Sequence, residues 1–133
     1  IQAEAIGAAA SDAIGSAVAS AGDVTGDGYA DLIIGAPTAG PGGRFAAGSS
    51  YLVFGKAGGW TANLNLAALD GGNGVRLDGT GIMERSGYSV SGAGDVNGDG
   101  FDDLIIGAPV AYSTTAGVSA GAATCISDSL RSR

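Results

Sequence analysis

Apolar residues along this chain fall in short, interrupted runs and not at helical spacing. Leu32-Ile33-Ile34 and Leu104-Ile105-Ile106 are each preceded by Asp and closed by Gly-Ala-Pro. Such residues favour strands and proline cannot extend a ladder, so both runs predict strands that stop there. Ser16–Ala21 and Tyr88–Ala93 mix Val with small residues, the pattern of a strand packed close to its neighbours. Ser50–Gly55, with Tyr-Leu-Val-Phe, predicts a third strand. Asn65–Leu69 or Val75–Asp78 supplies a fourth, set off by Gly71-Gly72-Asn73-Gly74. Ile1–Ala5 resembles such a fourth strand belonging to a preceding unit. No stretch holds a 3.6-residue period over about ten residues, so the pattern is that of an all-β array.

The array repeats itself. Residues 21–37, AGDVTGDGYADLIIGAP, match residues 93–109, AGDVNGDGFDDLIIGAP, at 14 of 17 positions and an offset of 72. Upstream, Gly15 and Val18 pair with Gly87 and Val90; downstream, Ala47-Gly48-Ser49-Ser50 aligns with Ala120-Gly121-Ala122-Ala123. Four strands per unit at this spacing is the logic of four-stranded antiparallel blades of a β-propeller. The expected layout is a preceding blade's last strand over residues 1–5 and a first blade over 14–78. A second, incomplete blade over 86–126 and an irregular tail over 127–133 follow. A blade cannot bury both faces alone, and two units fall short of the roughly four to eight that close a ring. The sequence therefore predicts a fragment of a longer propeller, or one completed by other copies. A chain that opens on Ile1 fits a processed or excised piece.

Composition narrows the chemistry. Gly supplies 26 of 133 residues while hydrophobic residues still make up 45%, so tight turns coexist with enough apolar material for a core. Net charge is −7 and the pI is about 4.1. Six Lys plus Arg form no basic stripe, which speaks against a nucleic-acid partner. There is no His and a single Cys, Cys125, which removes the Ser–His and Cys–His dyads and the usual zinc ligand sets. No apolar stretch approaches the roughly 20 residues of a membrane-spanning helix.

The acidic residues are concentrated. Of 13, seven stand in two windows: Asp23, Asp27 and Asp31, then Asp95, Asp99, Asp102 and Asp103. Like charges packed this closely are costly unless a cation neutralises them. Asp23, Thr25, Asp27 and Asp31 place oxygen side chains at loop positions 1, 3, 5 and 9, and Asp95, Asn97, Asp99 and Asp103 do the same. Alternating spacing turns successive oxygens onto one hard cation, Gly at position 6 permits the bend, and the carbonyl at position 7 (Tyr29, Phe101) adds a ligand. Position 12, where a helical EF-hand has its bidentate Glu, is Ile34 or Ile106, so Asp at position 9 must close the site. All-oxygen donors with three carboxylates per loop favour Ca²⁺ over transition metals, and over Mg²⁺, which keeps its waters. An Asx-rich turn without metal is the alternative; the recurrence of the loop at equivalent positions argues against it. Thr25 offers a hydroxyl where Asn97 offers an amide, so the first loop is expected to bind more weakly. Asp102, at position 8, is expected to point away from the cation.

These strings together, G-x-x-V followed by GDVNGDGxxDLIIGAP, resemble the FG-GAP repeat of integrin α-subunit-type β-propellers and their bacterial relatives. The resemblance covers about residues 1–126. It implies that each Asp-rich loop joins the first two strands of a blade and binds Ca²⁺ structurally. The ligands would be Asp23, Thr25, Asp27, the Tyr29 carbonyl and Asp31, then Asp95, Asn97, Asp99, the Phe101 carbonyl and Asp103. The Gly-Ala-Pro element is Gly35-Ala36-Pro37 and Gly107-Ala108-Pro109, whereas the opening Phe-Gly is degenerate, as Ile14-Gly15 and Ser86-Gly87.

The second unit departs from the first after Ala120. Ala47-Gly-Ser-Ser-Tyr-Leu-Val-Phe-Gly-Lys56 has Ala120-Gly-Ala-Ala-Thr-Cys-Ile-Ser-Asp-Ser129 as its counterpart. Codons for Thr124–Ser129, read one base earlier behind a T, allow Tyr-Val-Tyr-Phe-Gly-Gln. The tail is therefore expected to arise from a frameshift, leaving Cys125 and Arg131–Arg133 without a selected role; a natural divergent end is the alternative. Trp60 is expected to cover a core edge more than to stack on a sugar, Glu84-Arg85 to form a surface turn, and Asp70 and Asp78 not to form a glycosidase pair.

The functional expectation is a calcium-stabilised binding or adhesion module, not an enzyme, that is secreted or displayed at a bacterial cell surface. Its partners would be further blades or copies of itself, and an extracellular protein or carbohydrate ligand. A self-assembling fragment without independent activity, or the non-catalytic part of a secreted hydrolase, are the competing readings.

Overall fold

The computed structural model describes residues 4–6, 11–60, 63–113 and 117–127. Eleven strands run through them: β1 (Glu4–Ile6), β2 (Ala17–Gly22), β3 (Asp31–Ala36), β4 (Ser49–Val53), β5 (Asn63–Asn65), β6 (Gly74–Asp78), β7 (Ser89–Gly94), β8 (Asp103–Ala108), β9 (Tyr112–Ser113), β10 (Val118–Ser119) and β11 (Ala122–Ile126). The described helical structure is two single 3-10 turns, Pro41–Gly43 and Leu66–Ala68. No described helix is long and apolar enough to cross a membrane.

The chain is all-β, and its main sheets have the form of propeller blades. The first is four-stranded and antiparallel in the order β2-β3-β4-β6; the second is β7-β8-β11. The fourth strand of the first blade is Gly74–Asp78, in register with β4 from Ser49↔Asp78 to Val53↔Gly74. The alternative segment, Asn65–Leu69, instead starts a 3-10 turn, with the Asn65 side chain accepting the Ala67 N–H. Of residues 1–5, expected as an earlier blade's last strand, Glu4 and Ala5 are described; they belong to β1, which runs parallel to Asn63–Asn65. Residues 1–3, and 128–133 of the expected tail, lie outside the described residues.

Thr124 and Cys125, where the sequence leaves its pattern, remain in the ladder: Thr124 pairs with Ile106 and Cys125 with Ile105, as Tyr51 pairs with Ile34 and Leu52 with Ile33 in the first blade. Main-chain bonding keeps the register although the side chains have changed.

The two blades pack face to face. Ile33, Leu52 and Val75 of the first meet Leu104 and Ile106 of the second, with Ala21 and Val24 completing the cluster. Burying each of the large aliphatic side chains contributes about 1.5–3 kcal/mol. The inner strands β2 and β7 also approach closely: a Cβ on Gly92 would lie 2.8 Å from the Ser20 carbonyl oxygen. Leu66, Leu69, Leu64 and Trp60, from the β4–β6 connection, cover the other face of the first blade over Ile34, Tyr51 and Val53. β3 is thus buried on both faces, which is why Leu32-Ile33-Ile34 reads as a continuous apolar run.

Candidate metal centre

Both Asp-rich loops start from the same backbone irregularity. The register of β2 against β3 shifts between Ser20 and Gly22, and that of β7 against β8 shifts between Gly92 and Gly94. Gly22 (φ +71°) and Gly94 (φ +72°) take the left-handed backbone that glycine adopts at least cost. The bulge swings the chain out of the ladder, and Asp23 and Asp95 open the loops. At position 6, Gly28 (φ +89°) and Gly100 (φ +90°) make the expected bend.

The carboxylate at position 1 organises each turn. In the first loop Asp23 Oδ1 accepts the N–H groups of Gly26 (2.8 Å) and Asp27 (3.1 Å), and Oδ2 accepts that of Gly28 (2.9 Å). In the second, Asp95 accepts from Asp99 (3.0 Å) and Gly100 (2.8 Å). At position 5, Asp27 Oδ1 holds the Tyr29 N–H at 3.0 Å and Asp99 Oδ1 the Phe101 N–H at 2.9 Å. Asn97 joins this turn, its amide donating to Asp99 Oδ2 at 3.3 Å.

Position 9 lies deeper. Asp31 and Asp103, the first residues of β3 and β8, are buried. Asp31 Oδ2 accepts the Val24 N–H and Oδ1 the Gly55 N–H, both at 2.8 Å. Asp103 Oδ2 accepts the Val96 N–H at 2.8 Å. Its Oδ1 is buried without a hydrogen-bond partner among the described residues, as is Thr25 Oγ1 at position 3 of the first loop. The counterpart of Gly55 in the second unit is Asp128, outside the described residues.

Electrostatics separate the two ends of the first loop. Burial pushes the Asp31 carboxyl above its ordinary range, a push the Asp27 charge reinforces and the N–H groups of Gly55, Val24 and Thr25 only partly offset. Slight burial acts upward on Asp23 too, but the N–H groups of Gly28, Gly26 and Asp27 together outweigh it and hold that carboxyl below the ordinary range.

The structure gathers all ten predicted residues into two equivalent turns but does not converge their carboxylates. Among the described residues no three Asp, Glu, His or Cys side chains stand close enough to hold a metal ion. The position 1 and 5 carboxylates are turned onto backbone N–H groups. The donor set nevertheless fits a hard cation. Each carboxylate keeps lone pairs beyond those its hydrogen bonds use, and two buried oxygens, Thr25 Oγ1 in the first loop and Asp103 Oδ1 in the second, lack among the described residues the partners that buried polar atoms ordinarily have.

Two participants were not assigned a role from the sequence. Gly55 reaches Asp31 from the end of β4. Asp102 points away from its own loop, as expected, and onto the first: Asp102 Oδ2 accepts the Asp23 N–H at 2.8 Å, and the Asp102 N–H donates to the Asp23 carbonyl at 3.1 Å. The one available signal was that the matching residue of the first loop is Ala30.

The remaining candidates have local roles. The Trp60 indole N–H donates to the Phe54 carbonyl at 2.9 Å and the ring packs at the edge of the Ile34 cluster, lining a cavity of about 690 Å³ with Thr25 and Asp27. Glu84 accepts the Thr80 N–H at 3.1 Å. Asp70 caps a turn through the N–H groups of Gly72 and Asn73. Asp78 pairs with Arg76 at 2.8 Å and accepts from Ser49 Oγ at 2.9 Å.

The sequence is similar to those of known proteins. Residues 14–53 and 86–124, more than half of the chain, match the FG-GAP repeat. The chain is 38% identical over 94 residues to integrin alpha pat-2 of Caenorhabditis elegans, covering 71% of the chain and 7% of that protein. It is 37% identical over 94 residues to integrin alpha-V of Gallus gallus, with 71% and 8% covered. It is 34% identical over 99 residues to phosphatidylinositol-glycan-specific phospholipase D of Mus musculus, with 69% and 10% covered. The chain thus spans about a tenth or less of the length of these relatives. With two matched units, each a bulged hairpin around an Asp-rich loop followed by Gly-Ala-Pro, the chain belongs to the FG-GAP repeat family.

Proposed function

We propose that each loop binds one Ca²⁺ as a structural clamp, and that the blades so fixed serve a binding or adhesion module outside the cell or at its surface. The carrying observation is the pair of loops with oxygen donors at positions 1, 3, 5 and 9, in which Thr25 Oγ1 and Asp103 Oδ1 are buried without hydrogen-bond partners among the described residues. Asp23, Thr25, Asp27, the Tyr29 carbonyl and Asp31 would hold the first ion. Asp95, Asn97, Asp99, the Phe101 carbonyl and Asp103 would hold the second. The ion supplies charge neutralisation; the protein's part is to hold the hairpin and present the position 9 carboxylate from the base of the second strand. The likeness to integrin α-subunits supports a non-catalytic role in binding a protein, and the absence of His agrees with it. An ion that binds only the folded state raises its stability with concentration, so melting temperature should climb with calcium and fall back on chelation. A melting curve indifferent to both defeats the proposal.

A compatible second reading, assembly, rests on equivalent residues in different surroundings. Val24 is 2% exposed and Ile33 fully buried, whereas Val96 and Ile105, one repeat later, are 60% and 39% exposed. The second blade therefore presents to solvent the face that, on the first blade, another blade covers. A further blade, of a longer chain or of a second copy, fits there, and light scattering of the chain as it stands tests the second-copy case.

A further inference from the structure

The two loops touch. Asp102 grips both backbone polar groups of Asp23, its carboxylate on the N–H at 2.8 Å and its own N–H on the carbonyl at 3.1 Å. The same segment lies over the glycines of the first loop: a Cβ at Gly22 would strike the Asp102 carboxylate, and one at Gly26 would strike the Phe101 ring. Glycine at these positions is what allows residues 101 and 102 to seat on the first loop.

We infer that Asp102 is a positioning residue that couples the two loops, so that an ion in one raises the affinity of the other. The inference rests on the calcium reading above. Asp102 stands between Phe101 at position 7 and Asp103 at position 9, the last two ligand positions of the second loop. An ion there fixes residue 102 from both sides. Residue 102 in turn fixes the backbone of Asp23, the first ligand of the first loop. The ordering cost met by one ion is then spared the other, and the coupling is reciprocal. The Asp102 charge adds a separate effect, a negative field beside Asp23 that favours a cation in the first loop whether or not the second is filled. Thr25 makes that loop the poorer in ligands, so the aid falls where it is needed. The first loop has Ala30 at the matching position and offers no such carboxylate to a preceding blade.

Terbium luminescence excited through Trp60 tests this on the whole chain. Trp60 is the sole tryptophan and lines the same cavity as Thr25 and Asp27, so it reports the first loop. Disabling the second loop with Asp95→Ala and Asp99→Ala should weaken terbium binding at the first by about fivefold or more. In an Asp102→Ala background the same disabling should change it less than about twofold. Asp102→Asn, which keeps an acceptor for the Asp23 N–H but loses the charge, should preserve the coupling while lowering first-loop affinity; if Asp102→Ala does not fold, loss of the coupling or an unchanged first-loop affinity in Asp102→Asn overturns the inference. First-loop affinity indifferent to the second loop, or coupling undiminished in Asp102→Ala, overturns the inference and leaves the calcium reading standing. No calcium-displaceable terbium signal in the unaltered chain overturns both.

Discussion

The backbone N–H of Gly55 donates to Asp31 Oδ1 at 2.8 Å, tying the end of β4 to the carboxylate that opens β3. The other oxygen of Asp31 holds the Val24 N–H, so one buried side chain joins the loop, the second strand and the third. Asp31 is thus a structural residue whether or not an ion binds.

Substituting Asn separates these roles. Asp31→Asn must turn an amide N–H₂ toward either the Gly55 or the Val24 donor, leaving a buried donor unmatched, so it should cost about 1–3 kcal/mol even in chelator. Asp103→Asn can keep its bond to Val96 and loses only an oxygen without a partner among the described residues; its calcium-free cost should stay below about 1 kcal/mol. Urea unfolding of the two variants in chelator measures the difference, and equal costs would remove the distinction.

Gly55→Ala offers a steric check on the same contact. Its Cβ would run into the Ala30 carbonyl oxygen, a backbone atom that cannot rotate aside. A cost of about 1–3 kcal/mol is expected, as for overpacked sites generally, whereas Gly43→Ala, where a Cβ would meet open space, should pay only the left-handed backbone strain, about 1 kcal/mol. Comparable denaturation midpoints for the two would contradict the packing described.

Ile33 and Ile105 make a matched pair one repeat apart. Ile33→Ala empties the junction between blades and should cost about 2–5 kcal/mol. Ile105→Ser, on the uncovered face, should stay within about 0.5–1 kcal/mol and, if copies associate through that face, should reduce the mass seen by light scattering.

In the calcium-free protein the two ends of the first loop titrate with opposite signs. Asp23 is held below its ordinary value, so it contributes stability above that value and loses it as pH falls through the folded pKa. Asp31 is pushed above its ordinary value, so its contribution is complete below that value and is lost as pH rises through the folded pKa. Asp23→Asn should flatten the acid side of the stability profile, and Asp31→Asn the rise-side loss. Saturating calcium, by favouring the ionised Asp31, should abolish that loss. Thermal midpoints against pH, with and without chelator, show whether the slopes have these signs.

Much of this was legible in the sequence because it is local. Leu32-Ile33-Ile34 followed by Gly-Ala-Pro fixes a strand and its end, and the donors of Asp23–Asp31 share one turn because their spacing and Gly28 put them there. What escaped is tertiary. Asn65–Leu69 looks as strand-like as Val75–Asp78, but Asn65 caps a turn that lays Leu66 over Tyr51 and Val53. Asp102 looked idle because its partner, the backbone of Asp23, lies 79 residues away. Gly55 read as the end of a strand, and its bond to Asp31 forms only once β4 lies beside β3.

Isothermal titration of calcium into the chelator-stripped chain decides whether each loop holds one calcium ion. Two ions bound per chain are expected, with one left in Asp99→Ala and one in Asp27→Ala, variants that remove a position 5 carboxylate and leave the buried Asp31 and Asp103 in place. No heat beyond dilution in the folded, unaltered chain would contradict the account.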